Sequence, residues 1–233
     1  MSNPALLLLQ DVLEEPKLIE WGWIKENFSE DILPALQGHI FLSFVSIAIA
    51  LVIALPVGVL SARYRKAYPP VTAVTGILYS IPSLAFLAIL ISIPFVTIGP
   101  LPVIIALVAY SLLILIRNTV AGLDSVPPET KDAARGMGLT NRQILLRVEL
   151  PLALPIIVAG VRIATVTIIG IATIGAYING GGLGTLIFDG IGRQFPTEII
   201  TGAVLATILA IVADLLLLAL ERYLRPWARA RRA

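Results

Sequence analysis

Cysteine is absent from this chain of 233 residues, and histidine occurs only once. A chain without cysteine forms no disulfide, has no thiol nucleophile and holds no Cys-based metal site. The one histidine, His39, stands at the start of an apolar stretch, where a metal site is a poor interpretation. The sequence also lacks a Ser/His/Asp set, a zinc motif and paired carboxylates. We therefore predict neither a metal centre nor an enzyme active site in this chain.

Charged residues are scarce as well: they make up 14% of the chain, against 58% hydrophobic residues. The mean hydropathy is +0.93, well outside the range of an ordinary soluble domain. The net charge of +2 says little by itself, because the placement of the charges matters more than their sum. A chain of this length has room for one integral-membrane domain and no separate soluble one. We predict an all-α integral membrane protein.

Five apolar segments are long enough to cross a bilayer. At about 1.5 Å per residue, each reaches the roughly 30 Å of the hydrocarbon layer. The predicted spans are 39–62, 71–93, 101–123, 152–178 and 199–220.

The first 38 residues form a separate, acidic segment. Within it, 20–36 is predicted as a helix lying on the membrane surface, because Trp21 and Trp23 stand where interfacial aromatic residues are expected. The apolar run at 5–9 is too short for a cleaved signal peptide and lacks its basic flank.

The basic residues predict the orientation of the chain. They follow the first span, occur along the loop between the third and fourth spans, and fill the tail at 225–233. The alternate connections are poor in them: 94–100 has none, and 180–198 has only Arg193. By the positive-inside rule the N-terminus is outside, and the central loop and the C-terminus are in the cytoplasm.

The central loop, at 124–151, is a polar stretch in an otherwise apolar chain. Asp124 and Ser125 are predicted to supply the N-cap of a short helix at about 127–137. Gly138 is predicted at the left-handed position that ends this helix.

A second helix is predicted to follow in the same loop. Thr140 and Gln143 have the spacing of a capping box that opens it, and Pro151 and Pro155 are predicted to bound it. One interpretation is a solvated connector between two membrane helices. A loop with its own caps is better explained as a docking surface for a soluble partner, since a connector needs only a few residues.

Prolines inside the predicted spans are informative, above all Pro56 late in the first span and Pro82 in the middle of the second. Each removes a backbone hydrogen bond and kinks its helix. Ser80 and Ser83 are predicted to satisfy part of the backbone that Pro82 frees. The bend either accommodates packing or lines a translocation path. The candidate path residues are Tyr79, Ser80, Pro82, Ser83, Tyr110, Asn118 and Tyr177.

Arg162 and Asp214 are charges within the fourth and fifth predicted spans. An unpaired charge at mid-bilayer costs about 2.5–3.5 kcal/mol, so each needs a partner or access to water. Their depths are similar, which predicts that they pair across the two spans. The alternative is that Arg162 extends to the inner membrane surface.

Asp132-Ala-Ala134, Gly138 and Val148-Glu-Leu-Pro151 follow one another at a spacing that resembles the EAA loop of ABC importer permeases. That family has Glu where this chain has Asp132, and usually Ile where it has Val148; both changes keep charge or shape. Tyr79-Ser-Ile-Pro-Ser-Leu-Ala85 and Gly181-Gly-Leu-Gly184 further resemble the permeases of osmoprotectant importers, which take up glycine betaine, choline, carnitine and similar quaternary amines.

The resemblance implies the five-helix transmembrane domain of type I importers over 39–224, with a cytoplasmic coupling helix. It implies three partners besides membrane lipid: a second permease copy or a paralogue, an ABC ATPase, and an external solute-binding protein. ATP and Mg²⁺ would then act on the ATPase, and this chain would bind no cofactor and no nucleic acid. The residues implied in coupling are Glu129, Asp132, Ala133, Ala134, Arg135, Gly138, Arg142, Leu150 and Pro151.

Other transporters remain as alternatives. Within the same class, the chain could serve a methionine or other amino-acid importer. A secondary transporter would show paired repeats and more ionisable residues within its spans. Aromatic residues, which form the cages that bind quaternary amines, make up only 7% of the chain and are scattered. We therefore expect such a cage in the binding protein.

Overall fold

The computed structural model describes residues 18–223, and within them it contains helices and no strand. The ten α-helices are α1 (Trp21–Glu26), α2 (Leu33–Arg63), α3 (Tyr68–Ser80), α4 (Ser83–Ile91), α5 (Pro100–Asp124), α6 (Pro128–Gly136), α7 (Asn141–Ile144), α8 (Leu150–Ala172), α9 (Gly184–Arg193) and α10 (Pro196–Tyr223). π-helical turns at Phe28–Ile32 and Leu145–Glu149 lead into α2 and α8, and 3₁₀ turns occupy Arg65–Ala67 and Thr173–Ile178. The predictions for 5–9 and for the tail at 225–233 concern residues outside this part of the chain.

Between residues 18 and 223, four continuous helices are long and apolar enough to cross a membrane: Phe28–Arg63, Pro100–Asp124, Asn141–Ile178 and Pro196–Tyr223. They contain four of the five predicted spans. The remaining span, predicted as one helix at 71–93, is broken in two, and its halves, Arg65–Ser80 and Ser83–Ile91, meet at 95°. The segment at Pro82 therefore divides the predicted span into two separate helices, where the sequence predicted a single kinked one.

The break is stabilised by a residue from another helix. Ile81 and Pro82 are extended, with ψ of 127° and 134°. The Tyr110 hydroxyl of α5 donates to the Ile81 carbonyl at 2.8 Å. The prediction for Ser80 was wrong, because its hydroxyl donates to the Gly76 carbonyl one turn back along α3.

Helix α5 lies at the centre of the bundle, between α2 and α8. It approaches both closely through glycine. A Cβ on Gly58 of α2 would lie 2.7 Å from the Thr119 side chain, and one on Gly160 of α8 would lie 2.4 Å from Cβ of Asn118. Small residues at such crossings allow two membrane helices to pack backbone against backbone.

The first long helix begins earlier than predicted. Phe28–Arg63 is helical throughout, so the predicted boundary between residues 38 and 39 falls inside a helix. The surface helix predicted at 20–36 is divided between α1 and the start of this long helix. Trp23 of α1 packs edge-on against Phe195, with ring centroids 5.4 Å apart.

At the same end of the bundle, a glycine-rich loop (residues 179–183) enters α9 and is fixed by His39. The Leu183 N–H donates to His39 Nδ1 at 3.1 Å, so Nε2 carries the proton and donates to the Ile169 carbonyl at 3.0 Å. His39 is fully buried. Gly182 has a φ of +83°, and a Cβ there would lie 2.9 Å from His39 Nδ1. The one histidine thus joins α2, α8 and the loop.

Candidate functional site

The first helix of the polar loop (residues 124–151) ends as the sequence predicts. Gly138 has a φ of +82°. Its N–H donates to the Arg135 carbonyl at 2.9 Å, and the Leu139 N–H donates to the Ala134 carbonyl at 3.2 Å. This pair of bonds is a Schellman motif, which satisfies carbonyls that a helix end leaves unpaired. The space around Gly138 is open, since a Cβ on it would meet no atom within 4 Å.

The predicted N-cap of this helix was wrong. Pro127 occupies the cap position, and no side chain caps the helix. Asp124 is the last residue of α5 and accepts from Arg65 Nη2 at 2.7 Å. The Ser125 hydroxyl donates back to the Gly122 carbonyl at 2.7 Å. Both side chains form their hydrogen bonds at the end of α5, and neither caps α6.

The second helix opens with the predicted capping box. The Thr140 N–H donates to Gln143 Oε1 at 2.8 Å, and the Gln143 N–H donates to the Thr140 hydroxyl at 3.4 Å. The predicted end at Pro151 and Pro155 was wrong, since the helix continues through both to Ile178. The π turn at Leu145–Glu149 is bonded one residue wider than an α-helix, and Pro151, which has no N–H, follows it in the first turn of α8.

The residues implied in coupling differ in their exposure. Glu129, Asp132, Ala133, Arg135, Gly138 and Arg142 are exposed, and we call these six the loop surface. Arg135 Nη1 lies 2.7 Å from Asp132 Oδ1 on the same face of α6. Ala134 is only 1% exposed and packs inside its own chain, so we do not count it in the loop surface; its expected role in coupling stays a prediction. Leu150 is partly buried against the cluster of Leu123, Ala153 and Ile157, and Pro151 is half-buried.

Glu149 was not singled out in the sequence, although the motif contains it. It is 2% exposed, and Arg63 from the end of α2 donates to its Oε2. Lys131 Nζ of α6 lies 3.3 Å from its Oε1. An acidic residue between a basic loop and an apolar span was the available signal, but its partners are distant in the sequence.

Arg162 and Asp214 form the predicted pair. Arg162 Nε and Nη2 donate to the two carboxylate oxygens of Asp214, each at 2.8 Å. Glu221, one further carboxylate of α10, lies 3.7 Å from Arg162 Nη1 and was not predicted. Sequence reasoning assigned no role to Arg117 of α5. This residue is exposed, and residues 18–223 supply no hydrogen bond or ion pair to it.

The candidate path residues are only partly brought together. Tyr79 and Tyr110 are in edge-to-face contact at 6.1 Å beside the break at Pro82, and Ser83 lines a small cavity with Tyr110. Asn118 lies about two turns away along α5, where its amide donates to the Ile114 carbonyl at 2.8 Å. Tyr177 is exposed and contacts Phe188, with ring centroids 5.8 Å apart.

Comparison with known families gives one match over most of the chain. The family described as "Binding-protein-dependent transport system inner membrane component" matches residues 54–230. Similar relatives include a carnitine transport permease protein of Listeria monocytogenes, 41% identical over 206 residues that cover 88% of this chain and 93% of that protein. A choline transport system permease protein of Bacillus subtilis is 41% identical, and the match covers 84% of this chain and 89% of that protein. An osmoprotectant import permease protein of Salmonella typhimurium is 40% identical and covers 81% and 89%.

Solved structures share the fold. A chain of the MetNI methionine ABC transporter, solved in inward-facing conformations, is 28% identical with a TM-score of 0.72, covering 82% of this chain and 95% of that one. A chain of an amino acid ABC transporter has a TM-score of 0.73 at 16% identity, and the match covers 88% of this chain and 99% of that one. The fold is that of the type I ABC importer permeases, with several apolar helices in the inner membrane.

Proposed function

Because the chain belongs to the family of binding-protein-dependent transport system inner membrane components, we propose that it is the permease subunit of an ATP-driven importer of osmoprotectants such as glycine betaine, choline or carnitine. The observation that carries the proposal is the 40–41% identity to permeases of carnitine, choline and osmoprotectant transport, over more than four-fifths of the chain. Transport requires a path through the membrane, and the break between α3 and α4 is our candidate for a part of it.

The permease works with three kinds of partner: a second copy or a paralogue, an ABC ATPase that binds ATP and Mg²⁺, and an external solute-binding protein. The N-terminus is outside and the polar loop is in the cytoplasm, following the distribution of basic residues. The ATPase docks on the loop surface. Its support is geometric: a helix of nine residues presents one exposed, charged face, and its one buried residue is Ala134.

Substrate recognition belongs mainly to the binding protein. A quaternary ammonium cage needs several aromatic faces around one space. In residues 18–223 the ring contacts are edge-to-face, and the largest group is Tyr110 between Tyr79 and Phe86, with Tyr110 itself 3% exposed. Its hydroxyl is also engaged with Ile81. These rings support helix packing, and they do not surround a ligand-sized space.

The test is uptake by the complete importer. Tagged permease would be purified with its cognate ATPase and binding protein and placed in proteoliposomes with ATP inside. We expect ATP-dependent accumulation of glycine betaine, carnitine or choline that requires the binding protein. The permease–ATPase complex alone should bind these solutes weakly; micromolar binding to it would contradict our assignment of recognition.

A methionine or other amino-acid importer is the second candidate, favoured by the structural likeness to the methionine transporter. It ranks lower because the identity there is 28%, against 41% for the carnitine permease. Accumulation of methionine with no accumulation of the three quaternary amines, in the same proteoliposomes, would decide for it.

A further inference from the structure

Glu149 is a buried carboxylate where four parts of the chain meet. It is the last residue of the π turn that joins the polar loop to α8, and it is 2% exposed. Its two oxygens have different partners, Arg63 at the end of α2 on Oε2 and Lys131 of α6 on Oε1 at 3.3 Å. Each oxygen is therefore committed to a cation from a different helix.

Lys131 extends the connection to a fourth element. Its Nζ also donates to the Leu123 carbonyl at 3.2 Å, near the end of α5. Helix α6 buries only one residue, Ala134, so little apolar packing fixes its direction. Lys131 therefore ties α6 both to the end of α5 and to Glu149.

Burial separates this cluster from the other ion pair at the same end of the bundle. Arg65 and Asp124 join the 3₁₀ turn after α2 to the end of α5, but their side chains are 61% and 38% exposed, and exposed pairs contribute about 0–1 kcal/mol. The Glu149 side chain is 3% exposed and that of Lys131 23%. Removing a partner from a buried charge is much more disruptive than removing one from an exposed charge.

We propose that Glu149, held by Lys131 and Arg63, is the rigid link through which a displacement of α6 is passed to α2 and α8. This inference rests on the proposed function, because it presumes that the ATPase moves α6. Glu149 and Lys131 are positioning residues: they contact neither solute nor nucleotide, and they set the direction of the helix that the ATPase contacts.

The test replaces Lys131 and leaves Glu149 paired with Arg63, so that the fold is kept. In Lys131→Met we expect the ATPase to co-purify with the permease as in the wild type. The number of solute molecules imported per ATP hydrolysed should fall about tenfold, within the usual range for coupling between two sites. Lys131→Arg, which keeps the charge and the donor, should restore most of the ratio. Arg65→Met is the matched control and should leave the ratio unchanged.

A second variant tests the shared link. Glu149→Gln should lower the same ratio, and the double variant with Lys131→Met should be no worse than Glu149→Gln alone, because both variants break the Lys131–Glu149 pair. Additive losses would overturn the inference, as would a wild-type ratio in Lys131→Met. Loss of the ATPase from Lys131→Met during purification would also overturn it, by showing that Lys131 contacts the ATPase directly. If the wild-type protein itself shows no solute-stimulated ATP hydrolysis, the proposed function fails instead.

Discussion

Gly138 and Gly182 have almost the same φ, +82° and +83°, in opposite surroundings. Around Gly138 the space is open, whereas a Cβ on Gly182 would lie 2.9 Å from His39 Nδ1. At Gly138, glycine is needed only because the backbone has a positive φ. At Gly182, it is needed both for the positive φ and because a Cβ would clash with His39. The difference shows which loop is built into the bundle and which is left accessible to a partner.

Gly182→Val should have the largest effect on stability. A left-handed residue with a Cβ costs roughly 1–2 kcal/mol, and overpacking adds about 1–3 kcal/mol. The clash also displaces His39 from Leu183. We expect a clear loss of thermal stability, measured by size-exclusion of heated, detergent-purified permease. Gly181→Val is the control, since Gly181 has a φ of +79° and open space around it. Equal losses of thermal stability in Gly182→Val and Gly181→Val would contradict the importance of the close approach to His39.

His39→Leu should have the second-largest effect on stability. It keeps an apolar side chain at a buried position but leaves the Leu183 N–H and the Ile169 carbonyl without their partner. Each unsatisfied buried group costs about 1–3 kcal/mol. The same heating assay should show a loss smaller than that of Gly182→Val. His39→Gln, which has both a donor and an acceptor, should recover part of it; no recovery would mean that the two hydrogen bonds contribute little.

Gly138→Val should destabilise the protein by only about 1–2 kcal/mol, from backbone strain without a clash. Its functional effect should be larger, because relaxing the strain turns α6 away from its direction. We expect normal insertion in the membrane with weaker co-purification of the ATPase or lower uptake. Gly138→Asn is the control, since Asn tolerates this conformation. Normal co-purification and normal uptake for the valine variant would contradict the role of this turn.

Asp132→Lys should change stability least, because its ion pair with Arg135 is exposed on both sides, at 68% and 55%. It should nevertheless weaken ATPase binding or uptake by placing the opposite charge on the loop surface. Asp132→Glu, the residue that the EAA pattern has at this position, should behave as the wild type. If the lysine variant is also normal in both assays, the loop surface does not contact the ATPase through Asp132.

Local features were predictable from the sequence, and distant ones were not. The end of α6 at Gly138 and the cap at Thr140 follow from residues within four positions of each other, and both were predicted. The partner of Ile81 is Tyr110, the partners of His39 are Ile169 and Leu183, and one partner of Glu149 is Arg63. Such contacts depend on how helices pack, which no local pattern specifies.

The errors have the same origin. Asp124 suits an N-cap by composition, but Arg65 reaches it from another helix end. The burial of Ala134 inside its own chain likewise depends on the direction of α6, which no local pattern specifies. The Arg162–Asp214 pair was predictable despite its long range, because two opposite charges at similar depth in an apolar layer have few alternatives.

The first long helix is much longer than the hydrocarbon layer is thick, so a small rotation near one end displaces the other end by several ångströms. Phe28–Arg63 has 36 residues, about 54 Å at the helical rise, well beyond the roughly 30 Å of the hydrocarbon layer. Pro56 lies near its C-terminal end, so the arm from Phe28 to Pro56 is about 42 Å long. A rotation of about 10° around the proline would displace Phe28 by about 7 Å at that arm length. In the orientation that we propose, a spin label at Phe28, which is 52% exposed, would convert a small tilt at the cytoplasmic end of this helix into a distance change that is readily measured at its outer end.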